Sequence, residues 1–212
     1  MLRSLVGSEM CIRDRFVIGL AKKVLLADGI APYADAGFAA PGDLQFWGSW
    51  GASLCYALQL YFDFSGYSDM ALGLAKMFGI RFPLNFNSPY KAGSIIEFWA
   101  RWHMTLTRYL TAYLYYPVAM AVSKWRTNRN LPVGAEGVST LGGFVGSIVS
   151  PTLFTMALAG VWHGAGFQFL VFGLLHAMYL SVNHAWRIFV VGRKPAAAVS
   201  YTHLTLPTIL LV

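Results

Sequence analysis

Charge is what this sequence has least of. Asp, Glu, Lys and Arg make up 12% of its 212 residues, against about 25% in an ordinary soluble domain. That scarcity excludes a normal solvated surface and points to a chain that meets lipid. Cysteine is nearly absent too. Only Cys11 and Cys55 occur, so no disulfide framework is available, and Cys55 in its apolar run reads as a packing residue. The net charge is +7, but there is no basic stripe. Lys22-Lys23, Arg81, Lys91, Lys124, Arg126, Arg129 and Arg193-Lys194 sit at segment ends. That is the distribution of cytoplasmic loop charge and snorkelling side chains, and it argues against a nucleic-acid partner. The run from Ser4 to Arg15 does not resemble a signal peptide, its apolar core being too short and broken by charge, and the sequence shows no solenoid repeat or low-complexity stretch.

The two ends differ in character from the rest. Ser4 to Arg15 and Val199 to Thr208 resemble translated sequencing-adapter read-through. Residues 1–15 and 199–212 are therefore expected to be non-native, which removes Cys11 and His203 and leaves 16–198 as a fragment of a transmembrane domain.

Within 16–198 the chain is rich in apolar and aromatic residues, with 57% hydrophobic side chains and 7 Trp overall. Tryptophans of this kind anchor segments at membrane interfaces. Residues 16–30 read as an amphipathic or helix-end segment, and 31–44 as a loop punctuated by Pro32 and Pro41. Residues 46–62 form a charge-free stretch long enough to span a bilayer. A shorter helix follows at 68–80, then a Pro- and Asn-rich loop at 81–93. Residues 95–122 carry Glu97, Arg101, His103 and Arg108 and read as a buried or re-entrant helix. A basic loop at 124–137 is expected on the cytoplasmic side. Residues 138–161 and 167–191 are expected to span, with Gly142, Gly143, Gly146 and Ser147 allowing close helix contact. The expected fold is all-α, a polytopic transmembrane helical bundle.

Three clusters carry candidate chemistry. Asp63 and Asp69 lie in the run Tyr61 to Asp69. A charge at the membrane centre costs about 2.5–3.5 kcal/mol on insertion scales, so they belong at an interface or in a polar cavity; the alternative is that Ser65, Ser68 and Asp69 cap the start of the next helix. In the second cluster Glu97 and Arg101 are spaced to pair on a helix, and Trp99 and His103 to share a face. That pattern also suits an interfacial amphipathic helix. The third is Trp162-His163-Gly164. The apolar run before it leaves His163 with little expected water, as either a structural hydrogen-bonder or a general base. A desolvated base that activates a hydroxyl is what O-acyl transfer requires. His176 and His184 read as packing or interfacial residues.

Four runs occur in order: Tyr61 to Asp69, Asn85-Phe86-Asn87-Ser88-Pro89-Tyr90, Phe98 to Leu106 and Gly160 to Gly166. Together they resemble the membrane-bound O-acyltransferase (MBOAT) family, in its alginate O-acetylation branch, which is related to the D-alanyl transferases of teichoic acids. The resemblance implies a helical bundle with buried or re-entrant helices around a tunnel, in the bacterial inner membrane. It implies acyl transfer, with acetyl as the expected group, from a cytoplasmic thioester on coenzyme A or a carrier protein. The acceptor would be a hydroxyl of an extracytoplasmic polysaccharide or related cell-surface molecule. No permanently bound cofactor and no metal are expected, and a periplasmic acetyltransferase partner is. The family's invariant histidine corresponds to His163 and its second motif histidine to His103. Trp162, Trp99 and Arg101 would bind or support substrate, and Asp63 and Asp69 would be structural. One departure stands out. Where the alginate branch usually runs Arg-Asp-Tyr-Leu-Tyr-Ile-Pro-Leu-Gly-Gly, this chain has Thr111 to Met120 without the Arg-Asp pair or the Gly-Gly turn, so the acceptor stays open. Two other readings compete: a polytopic transporter or channel with a histidine-based proton relay, and a non-catalytic scaffold for exopolysaccharide assembly.

Overall fold

A computed structural model of the chain describes residues 13–191, and these are helix, turn and loop, with no strand among them. They divide into two compact units that meet in sequence at Asn87 and Ser88. Apart from 13–15, the residues expected to be non-native lie outside the described stretch.

The first unit is a helical hairpin. Helix α1 covers residues 13–39 without interruption, passing through a π-helical stretch at Lys22–Ala27 into Asp28–Ala39. Helix α2 runs over Phe46–Met77. Two expectations are corrected here. Residues 31–39 are helix rather than loop, although Pro32 lies inside. A proline in a helix lacks its N–H and presses on the carbonyl four residues back, here that of Asp28, and a π-helical stretch ends at Ala27, one residue before it. The same device precedes Pro117 and Pro151, whose crowded carbonyls, on Tyr113 and Ser147, lie within π turns at Thr111–Tyr115 and Val145–Val149.

The second correction is that no break separates the stretches expected at 46–62 and 68–80, and Gly66 between them does not end the helix begun at Phe46. It sits in the middle of α2, buried against α1. A Cβ there would stand 3.1 Å from Lys22 Cβ and 3.2 Å from the Lys23 nitrogen. The missing side chain lets two helices approach. Ser65, Ser68 and Asp69 accordingly lie inside α2 and cap no new helix. Asp69 pairs with Lys22 at 2.6 Å and Arg15 at 3.6 Å, and Asp63 pairs with Lys23 at 2.7 Å. Lys23 also bonds Asp28, and the two carboxylates, Asp28 first, hold its ammonium well above the usual lysine range. These pairs cross-link α1 to α2 and account for both aspartates structurally.

The second unit carries α3 (Ile95–Arg101), then a helix α4 built from Met104–Leu110, the π turn Thr111–Tyr115 and Tyr116–Thr127. The short α5 (Gly134–Ser139) follows, then α6 (Leu141–His163) and α7 (Phe167–Ala185, extended by a π turn at Trp186–Val190). The loop expected from residue 124 therefore begins only after Thr127. Buried Arg126 closes it by donating two hydrogen bonds, at 3.1 and 2.9 Å, to the Pro132 carbonyl. Helices α6 and α7 pack closely. Gly160 and Gly173 face each other there, so that a Cβ on either would stand 3.2 Å from the other's Cα.

Among the described residues, α6 is the one helix long and apolar enough to cross a membrane, with a mean hydropathy of 1.7. The other two expected spans fall in long helices diluted by polar residues: Gln59 and Asp63 in α2, and Gln168, His176, Asn183 and His184 in α7.

Candidate functional site

The site lies in the second unit and is assembled from α3, the α3–α4 junction, the end of α6 and the start of α7. Helix α3 is anchored at its first turn. Ser94 accepts a hydrogen bond from the Glu97 amide at 3.1 Å, and the Glu97 carboxylate accepts one from the Gly93 amide at 2.8 Å. This is a variant of the capping box. The Glu97 carboxyl is held below its usual range, first by the Gly93 amide and then by Arg101. Arg101 pairs with Glu97 as its spacing predicts, so its guanidinium serves the cap of its own helix.

His103 corrects the expectation of one continuous helix. It stands between α3 and α4 with φ 42° and ψ 55°, in the left-handed region. There it cannot share a helical face with Trp99. Left-handed backbone costs a non-glycine residue about 1–2 kcal/mol, and such strain concentrates at functional positions. The junction is braced by Thr107, whose hydroxyl donates to the carbonyls of Trp99 at 3.2 Å and Trp102 at 3.3 Å. The His103 ring is half-buried, with Nδ1 3.4 Å from the Thr105 hydroxyl. Its pKa is pushed below the ordinary histidine value, mainly by burial and then by the charge of His163.

His163 is the last residue of α6. Its side chain is exposed on the surface of the described residues, as are Val161 and Trp162, the latter 67%. An apolar run in a helix able to cross a bilayer records a lipid-compatible face, and burial within protein does not follow from it. The His163 ring lies 5.0 Å from the Trp162 ring and 6.0 Å from Phe172 of α7. Gly164 and Gly166 bracket the turn that brings α7 back.

Aromatic contacts continue from there. Phe172 lies 4.2 Å from His176, and His176 meets Trp99 edge to face at 5.3 Å. Phe98 stacks on Trp102 at 5.5 Å, and Tyr90 sits beside both. Thus His103, His163, Trp162 and Trp99 belong to one neighbourhood, and His176, read from the sequence as a packing residue, stands inside it. The usable signal was its place on the helix that folds back behind the Trp-His-Gly turn. A groove of about 590 Å³, lined by Ile95, Met178, Tyr179, Val182, Asn183 and Trp186, opens beside Ile95 of α3 and Tyr179, the neighbour of His176. No group of three or more His, Cys, Asp or Glu among the described residues is placed to hold a metal ion.

Histidines gathered in one place suit a reaction centre better than a relay, which distributes ionisable groups along a path. A model of the membrane-bound O-acyltransferase family matches residues 8–132. The chain belongs to that family.

Relatives extend the MBOAT match past the family model. The chain is 42% identical over 195 residues to a peptidoglycan O-acetyltransferase of Helicobacter pylori, covering 92% of this chain and 32% of the relative. A match of that length within 212 residues necessarily includes His163. A probable alginate O-acetylase of Pseudomonas aeruginosa is 42% identical over 176 residues, 81% of this chain and 29% of the relative. A teichoic acid D-alanyltransferase of Bacillus subtilis is 37% identical over 128 residues, 59% of this chain and 29% of the relative. The chain spans about a third of the length of the curated MBOAT relatives it matches.

Proposed function

We propose that this chain carries the histidine centre of a multi-pass inner-membrane O-acyltransferase. It would move an acyl group, acetyl by the names of its relatives, from a thioester donor to a hydroxyl of a cell-surface polysaccharide. The observation that carries the reading is the series of ring contacts that joins His163 through Phe172 and His176 to Trp99, beside the His103 junction and some sixty residues away in sequence, at the end of a helix able to cross a bilayer. Nothing in helix formation demands that meeting, and His103 is held there on a strained backbone.

The chemistry follows from the residues. Neutral His163 accepts the proton of the acceptor hydroxyl as its oxygen attacks the thioester carbonyl. A tetrahedral intermediate forms. It collapses with cleavage of the carbon–sulfur bond, and the imidazolium returns its proton to the departing thiolate. His103, kept neutral by burial, contributes a hydrogen bond without adding a repelling charge beside His163. Trp162 and Trp99 flank the reacting groups, and Arg101 acts through the α3 cap rather than on the donor. The donor is a cytoplasmic thioester of coenzyme A or a carrier protein, and the remaining spans and re-entrant helices enclose the tunnel in which donor and acceptor meet. A periplasmic acetyltransferase partner completes delivery to the polysaccharide.

The test is the O-acetyl content of surface polysaccharide in cells carrying wild-type or His163→Ala protein at equal membrane levels. Loss of acetylation supports the reading. Unchanged acetylation sinks it, and unchanged acetylation in the variant with loss on deletion would favour a scaffold.

A further inference from the structure

Resting on that reading, we propose that His176 is a positioning residue of the same centre, holding Trp99 and Phe172 in register and thereby setting where the His103 junction stands relative to His163. The argument begins with its hydrogen bond. His176 Nδ1 lies 2.9 Å from the Phe172 carbonyl oxygen. A carbonyl only accepts, so Nδ1 carries a hydrogen, and the ring is held at one orientation along α7. A ring so fixed offers a defined surface to its neighbours.

Those neighbours are the ones that matter. On one side is Trp99, edge to face at 5.3 Å. Trp99 lies one turn before His103, and its carbonyl takes the Thr107 hydroxyl that braces the junction. On the other side is Phe172 at 4.2 Å, whose ring in turn faces His163 at 6.0 Å. The Trp99 indole nitrogen is buried and has no hydrogen-bond partner. No polar contact therefore pins that indole, and its seat depends on the rings around it. One imidazole thus separates the supports of both motif histidines. Losing it would let the α3–α4 junction and the end of α6 drift apart. A misplacement of about 1 Å in a reacting pair can cost about a hundredfold in rate.

The experiment compares His176→Ala, His176→Phe and Trp99→Ala, and the His176→Ala/Trp99→Ala pair, in the full-length product of the gene purified from membranes, with His163→Ala in parallel. The readouts are kcat and KM for acetyl-coenzyme A. His176→Ala is expected to lower kcat about ten- to a hundredfold with KM changed by less than about threefold. His176→Phe, which keeps a ring between Trp99 and Phe172, is expected to recover most of kcat. The double variant is expected to be no slower than the slower single variant, because both changes break the same contact. Wild-type kcat in His176→Ala overturns the proposal. So does a folded His176→Phe as slow as His176→Ala, which would mean ring-nitrogen chemistry, or a double variant whose losses multiply. Should His176→Ala fail to accumulate in the membrane, the decision passes to the His176→Phe and Trp99→Ala variants: a folded His176→Phe with less than a tenth of wild-type kcat, or a Trp99→Ala with wild-type kcat, overturns the proposal. If His163→Ala is itself fully active, the acyltransfer reading fails. If His163→Ala is inactive and His176→Ala is normal, only the present proposal fails.

Discussion

Replacing Gly160 by alanine tests whether the α6–α7 crossing sets the geometry of the site. In an isolated helix the change would stabilise, by about 1 kcal/mol, because alanine is the better helix former. Here the new Cβ would stand 3.2 Å from Gly173 Cα and would collide with the Phe169 carbonyl oxygen. Both obstacles are backbone, so neither can swing aside, and the helices must separate. Overpacking of this kind costs about 1–3 kcal/mol. Set against the propensity gain, the net is a loss of up to about 2 kcal/mol, felt three residues before His163. The matched control is Gly51→Ala in the interior of α2, where nothing lies within 4 Å of the added carbon. That variant is expected to gain up to about 1 kcal/mol. Thermal unfolding in detergent, followed by tryptophan fluorescence, should shift the two midpoints in opposite directions. A Gly160→Ala protein as stable as the Gly51→Ala control would refute the close crossing.

Three further expectations follow from the local geometry. Ser94→Ala removes the hydroxyl that receives the Glu97 amide and should destabilise the protein by about 1 kcal/mol, read as a lowered thermal midpoint. The acid limb of the stability profile should depend on His103. Its folded pKa lies below its unfolded value of about 6.5, so the unfolded chain binds more protons in between, and stability is retained above pH ~6.5 and lost as pH falls below it. The His103→Gln variant should show a shallower decline than wild type between pH 7.5 and 5.5, and an identical slope would contradict this. Arg126→Ala strips two donors from the Pro132 carbonyl, a loss of about 1–3 kcal/mol. It should open the loop after Thr127 to faster tryptic cleavage at Arg129, with Arg126→Lys intermediate.

Much of the helical layout is legible locally. The capping of α3 and the Glu97–Arg101 pair are readable from spacing, because both are contacts within one turn of chain. The helical run through Pro32 and past Gly66 is not, because its causes lie elsewhere. A π turn ends just before the carbonyl that the proline crowds, and the backbone of α1 occupies the space that Gly66 leaves empty. Asp63 and Asp69 look like candidate chemistry until their lysine partners, forty or more residues away, are seen beside them.

By itself the sequence determined the helical class, the affinity for lipid and the family, since composition and ordered motifs are properties of the chain in one dimension. Tertiary structure alone decided the state of the site. It moved His103 off the helix onto a left-handed junction, set His163 at the last turn of α6 against Phe172 of α7, and brought His176 between the supports of both. The physical reason is that hydropathy and helical periodicity describe what one segment prefers. Which histidines meet depends on where two glycines let helices cross, and that is settled only when distant segments pack.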